Sequence, residues 1–428
     1  MQIVVKQSII YESFYNISYD GINKWFNGCV CSDHNNDNNM EILCGMKKYY
    51  SIRNDFFEKN PRLFEIYRRY YNDNDHESVL GRIGTYYFLL KIILLSKFNP
   101  NKLNSIKRYN PDIYYLECEH FGDLNDDKVL YLIERDEEGA GFTSILRIIM
   151  YALVFAEKFN MTPVITISEN CNYYQPEGYN GKFNPFEYYY VQPSGISKEE
   201  ALNSDRVIRF KIHHLNILKE FSWEDLYLHS ESFVCYFADL YKKYFILRDE
   251  IKNKIYNDFE KMGLDERTLG IHFRGGDFSR NYNRHPKMVI IEDYYDYIDT
   301  ALEHADYNKI FVATDDNNAL QCLLDVYGDK IIYYEDVLRT NNDKSVIFAE
   351  TERNNNQFLL GYEVLRDMYT LSFCNGIISG ISMVAVFARI IKKSLDKDYE
   401  YDQYIDLGLN ENPKDYKDDY MKMRKKEL

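Results

Sequence analysis

The 428-residue sequence has no surplus of positive charge: 52 lysines and arginines face 67 aspartates and glutamates, a formal charge of −15. General nucleic-acid binding rests on a basic footprint that neutralises phosphates, so this balance argues against it. No apolar run is long enough to span a bilayer. The two longest, Ile83–Leu95 and Ile145–Phe155, contain Lys91 and Arg147 and fall short of the ~20 residues a membrane helix needs. The opening MQIVVKQSIIYESFY lacks the basic start and long apolar core of a secretory leader. The eight cysteines include no CxxC pair, and the close couple Cys29 and Cys31 has no partners at zinc spacing. These absences lead us to expect a cytoplasmic protein with reduced thiols. The final KKEL is then a charged chain end rather than a retention signal.

What is present suffices for real cores. Hydrophobic residues make up 45% of the chain, and its length implies two or three domains. Residues 1–127 show no clear period. Ser32–Asn39 and Asn72–Glu77 are polar loops, and Val79–Ser96 has the pattern of a largely buried helix, so a mainly helical N-terminal extension of unassigned function is expected. Asp73-Asn74-Asp75 has the form of a metal-binding DxD but follows no strand.

At Lys128 the pattern changes. A strand over 129–134, the turn Gly139-Ala140-Gly141, a helix over Thr143–Phe159 and a strand over 162–168 make a βαβ unit. Glu169–Ser197, rich in aromatics, Asn, Pro and Gly, is expected as a long surface loop that contacts substrate. A second series begins with the strand 268–273 and the loop 274–286. Helix Val289–His304, strand 309–314, helix Asn317–Tyr327, strand 330–334, helix Phe358–Phe373, strand 376–379 and helix Ser382–Lys392 follow. The expectation is an α/β protein with two Rossmann-like domains facing a cleft, 128–262 and 263–395. A charged tail, 396–428, would pack back toward the first. Ligands of such sheets bind at the carboxyl ends of the strands.

The strongest local signal is IHFRGGDF, 271–278. A buried strand delivers His272 and Arg274 to its carboxyl end, and two glycines let the backbone turn close to a ligand. Arg274 offers a planar fork of donors suited to a diphosphate, and Asp277 can orient it or bond the loop backbone. The alternative is an arginine held in a structural salt bridge. Asp315 and Asp316 follow a strand and precede a helix, where at least one should serve as N-cap. Gly141, Phe142, Thr143 and Ser144 open a helix, a ready anion site. The turn lacks the third glycine of the dinucleotide fingerprint, which disfavours an NAD(P) enzyme. Ser379-Gly380-Ile381-Ser382 again lies between strand and helix, with hydroxyls and amides placed for phosphate oxygens or for an ordinary cap.

The order of these motifs resembles the fucosyltransferase superfamily, which includes α-1,6-fucosyltransferases and the related protein O- and α-1,2-fucosyltransferases. His272, Arg274 and Asp277 match an H-x-R-x-x-D-like motif, Ala313-Thr314-Asp315-Asp316 a later A-T-D-D, and Asp367 an aspartate ahead of L-S-x-C. The resemblance runs over roughly residues 130–395. It implies a GT-B fold and inverting, metal-independent transfer from a GDP-sugar, GDP-fucose first among them, to a glycan or protein acceptor, with no cofactor. It places Arg274 at the β-phosphate, His272 and Asp367 near guanine and ribose, and Ser382 with the Gly141–Ser144 helix start at phosphate. Where α-1,6 and α-1,2 members carry a second arginine, this chain has Gly275. Between Asp277 and Glu292 it has no acidic residue, so Asp277 or His285 becomes the candidate base. Another GDP-sugar, such as a mannose or heptose derivative, and a non-catalytic sugar- or nucleotide-binding role are the alternatives. Oligomeric state and acceptor identity are not legible.

Overall fold

Short segments of branched and aromatic residues set the first sheet. The computed structural model describes residues 118–136, 138–212, 231–282, 285–341, 345–349 and 351–411. The expected helix Val79–Ser96, the DxD at 73–75, most of the N-terminal extension and the end of the tail lie outside them. Strands β1 (Cys118–Glu119), β2 (Leu130–Arg135), β3 (Thr162–Ile167) and β4 (Val207–Arg209) form a sheet in the order β1-β4-β2-β3. β2 pairs parallel with both β3 and β4. Helix α1 (Phe142–Lys158) connects β2 to β3, and every residue from Phe142 to Ala156 except Ser144 and Arg147 is buried. A helix apolar almost all round is one covered on several sides.

The segment 169–197 departs from the expected surface loop. It carries helix α2 (Phe186–Tyr189), and Tyr173, Phe186, Tyr188, Tyr189 and Tyr190 are all buried. Its Asn, Gly and Pro residues make turns, while the aromatics between them fill core. Helices α3 (Lys198–Ala201), α4 (Glu231–Tyr244) and α5 (Asp249–Met262) follow. The α5 end has Gly263 in the left-handed region, φ 64°, the usual C-terminal stop.

The second series builds a five-stranded sheet from β5 (Thr268–Phe273), β6 (Lys309–Thr314), β7 (Ile331–Ile332), β8 (Gly376–Gly380) and β9 (Tyr401–Ile405), ordered β7-β6-β5-β8-β9. All neighbours are parallel, and β5 and β6 register from Thr268–Lys309 to Phe273–Thr314. Every residue of β5 is buried, and its Leu, Ile and Phe each contribute about 1.5–3 kcal/mol. Helices α6 (Glu292–His304), α7 (Asn317–Tyr327), α8 (Asn356–Phe373) and α9 (Met383–Ser394) link successive strands. Tyr294, Ile298 and Ala301, one turn apart, are the buried face of α6.

One expectation at this end is corrected. The sheet does not stop at 395, because Tyr401–Ile405 adds the edge strand β9. The start of the tail does reach the first series, where Lys242 of α4 pairs with Asp396 at 2.9 Å, and beyond β9 the tail meets the loop after β5. Lys287 N–H donates to Gly408 O at 2.8 Å and Asn410 N–H to His285 O at 2.8 Å. Glu119–Leu428 forms one compact unit. No helix of the described residues is long and apolar enough to cross a membrane.

Candidate functional site

Counted from β5, the second sheet has the strand order 3-2-1-4-5, so the chain reverses direction across the sheet between β5 and β8. Outside the carboxyl ends of two such strands the flanking helices diverge and leave a crevice. β5 delivers His272 and Arg274 to this crevice, and β8 delivers Gly380 and then Ser382.

His272 is 5% exposed. Its Nδ1 lies 3.1 Å from Ala313 O. A carbonyl only accepts, so Nδ1 carries the proton and Nε2 is a bare acceptor. That Nε2 is buried with no hydrogen-bond partner among the described residues. Burial, against the stabilising bond to Ala313 O and helped by the charges of Arg274 and Arg389, pushes the imidazole down to about 3. The ring is neutral at any ordinary pH, with a lone pair on Nε2.

Arg274 forms an ion pair with Asp315 through Nη1 and Oδ2, and its guanidinium lies 5.5 Å from the Phe278 ring centre. The other oxygen of Asp315 accepts from Gly275 N–H at 2.9 Å. Asp315 therefore holds both the arginine and the turn that follows it. Asp316 fulfils the capping expectation, since Oδ1 accepts from Asn318 N–H at 2.8 Å and Ala319 N–H at 3.1 Å. The two adjacent aspartates therefore have separate duties. The Gly275 backbone approaches Asp316 so closely that a Cβ there would sit 2.6 Å from Asp316 Cβ. Gly276 has φ 54°, a conformation that favours glycine.

The loop after β5 is partly a 3-10 turn, Gly276–Arg280. The side chain of Asp277 lies outside the described residues. His285 stands 6.2 Å, ring to ring, from the same Phe278 that borders Arg274. Ser382 is the N-cap of α9, accepting from Ala385 N–H at 3.3 Å. Ser379, grouped with it as a phosphate contact, is instead fully buried and accepts from Arg389 Nη1 at 3.1 Å. Arg389 also binds Asp402 on β9, an anchor that the sequence reading missed.

Asp367 lies on α8, half-buried, with no hydrogen bond or ion pair among the described residues. Burial raises its carboxyl to about 7 against the opposing charges of Arg366 and Arg339. Gly141–Ser144 opens α1 on the first sheet. Phe142 is spent on packing, edge-on to Tyr173 and Tyr189, whereas a Cβ on Gly141 would meet nothing within 4 Å. The structure thus brings His272, Arg274 and Ser382 to the ends of β5 and β8, with Asp315, at the end of β6, paired to Arg274 and His285 in the adjoining loop. Among the described residues no group of three or more His, Cys, Asp or Glu is placed to hold a metal ion.

No family model matches the chain, and no curated protein does. Its structure is similar to that of NodZ α-1,6-fucosyltransferase soaked with GDP-fucose, with 16% identity over 62% of this chain and 93% of that one and a TM-score of 0.38. Fucosyltransferase NodZ from Bradyrhizobium gives 16%, the same coverage and 0.37. POFUT1 in complex with GDP-fucose gives 10%, 66% of this chain, 99% of that one and 0.39.

Proposed function

We propose that the chain is an inverting, metal-independent glycosyltransferase of GT-B type that moves fucose from GDP-fucose to a glycan or protein acceptor. The observation that carries this reading is the convergence of Arg274, a bare His272 Nε2 and the Ser382 helix start at the switch point of a parallel sheet. As the donor bond breaks, negative charge gathers on the β-phosphate. The Arg274 fork meets it, and helix-start amides add dipoles already oriented for it. Asp315 prepares the arginine by fixing its guanidinium before any ligand arrives. His272 accepts from a hydroxyl or N–H of the nucleoside, and Asp367 from guanine N–H groups. The acceptor hydroxyl must lose its proton as it attacks, and Asp277 or His285 takes it.

The test is GDP release from a panel of GDP-fucose, GDP-mannose and GDP-heptose, with UDP-sugars as controls. GDP-fucose turnover with inversion at the anomeric carbon supports the reading. Stabilisation by a UDP-sugar alone would overturn it. GDP-sugar binding without any release of GDP would leave a nucleotide-sugar-binding protein.

A further inference from the structure

We propose that Tyr294 is a positioning residue that sets the width of the crevice between the Arg274 turn and the Ser382 helix start, and so the seat for a diphosphate. The proposal rests on the nucleotide reading above. β5 and β8 stay paired as far as His272 and Ser379. At that point the Tyr294 hydroxyl, carried on the first turn of α6, bridges the two strands. It donates to His272 O at 3.0 Å and accepts from Gly380 N–H at 2.7 Å. A phenol can do both at once, and a phenyl ring can do neither.

The placement is symmetrical. His272 precedes Arg274 by two residues, and Gly380 precedes Ser382 by two. A single buried oxygen thus ties together the roots of both phosphate-facing elements. Tyr294 is 1% exposed, and burial keeps its phenol protonated and able to donate. The fit around Gly380 is close, since a Cβ there would lie 3.1 Å from Val289 Cγ2 and 3.3 Å from the Tyr294 oxygen. Without the bridge, the amide and carbonyl must find water or each other, and the spacing of the two strand ends is no longer fixed.

Tyr294→Phe keeps the ring and removes only the bridge. The binding of GDP and of guanosine separates a seat for phosphates from a general loss of fold. In the variant the dissociation constant for GDP should rise about 10- to 100-fold, the scale expected from a misplacement near 1 Å, and that for guanosine by much less, because guanosine shares only the His272 anchor of the bridge and not the diphosphate seat. Tyr307→Phe is the control. Its hydroxyl is also buried in this core but has no hydrogen-bond partner among the described residues, and it abuts Gly376 at the opposite end of β8; GDP binding should be untouched. Equal GDP binding by wild type and Tyr294→Phe would overturn the proposal. So would a parallel loss of guanosine and GDP with a lowered melting temperature, which would make Tyr294 a core residue only. If the wild type binds neither ligand, the nucleotide reading itself fails and takes this inference with it.

Discussion

Replacing Arg274 separates chemistry from scaffolding, because the proposed function gives one residue both duties. Its guanidinium pairs with Asp315, the two side chains being 25% and 14% exposed. Arg274→Ala leaves a mostly buried carboxylate without its counter-charge. A fully buried pair would lose about 3–5 kcal/mol; with this much solvent contact the cost falls to about 1–3 kcal/mol. In a unit spanning Glu119–Leu428 that lowers Tm by about 1.5 °C per kcal/mol. Turnover should fall further, by about 10²–10³-fold, the loss expected when one preorganised donor to developing charge is removed. Arg274→Lys keeps the charge but not the fork and should also be poor. The decisive variant is Arg274→Ala with Asp315→Asn. The amide can still accept from Gly275 N–H but carries no charge, so Tm should recover while turnover does not. Melting temperature and GDP release are measured on the same samples. Wild-type release per folded molecule in that double variant would make Arg274 a salt-bridge partner only and refute the assignment.

Other outcomes follow from the same geometry. EDTA should leave GDP release unchanged; loss restored by Mn²⁺ would contradict a diphosphate met by Arg274 and amides alone. Asp367, raised to about 7, contributes stability that is full below its unfolded value near 4 and lost as pH rises through 7, so the empty protein should be more stable at the acid side of this window. Guanosine, which has no titrating phosphate, needs the ionised carboxylate, so its affinity should weaken about tenfold per unit below pH 7; a flat wild-type profile, or the same slope in Asp367→Asn, would remove Asp367 from the base site. Gly275→Ala should lower stability by about 1–3 kcal/mol through overpacking, read as Tm, and an unchanged Tm would mean that Asp316 yields without cost. Normal turnover in both Asp277→Asn and His285→Gln would exclude both as the base.

The parts of the fold legible in the sequence are those where one residue pattern has one physical use. TLGIHF and KIFVAT have the continuous apolar character of parallel strands covered on both faces, and they occupy the expected residues. Asp316 followed by an apolar run marks the start of α7. β9 was not legible because YDQYI is an edge strand paired on one side, and of its residues only Ile405 is buried. The segment 169–197 misled because turn residues mask the tyrosines packed between them. The helical phase singles out Tyr294 as core, yet its bridge joins backbone atoms 22 and 86 residues away, which no local pattern encodes.

Asp315 and Asp316 show the same limit at the site. They are identical in chemistry and adjacent in sequence, but consecutive side chains at a strand end point to opposite sides. One therefore reaches Arg274 and Gly275, and the other turns back onto the amides of α7. The capping aspartate occupies the space that any Cβ on Gly275 would enter. A second arginine at that position would require Asp316 to leave its cap, so in this chain position 275 is glycine where the α-1,6 and α-1,2 enzymes it resembles carry an arginine directly after the first. On the proposed reading, the charge on a leaving diphosphate then falls first to Arg274, helped by uncharged amides. Its loss should accordingly cost more here than the loss of either member of an arginine pair.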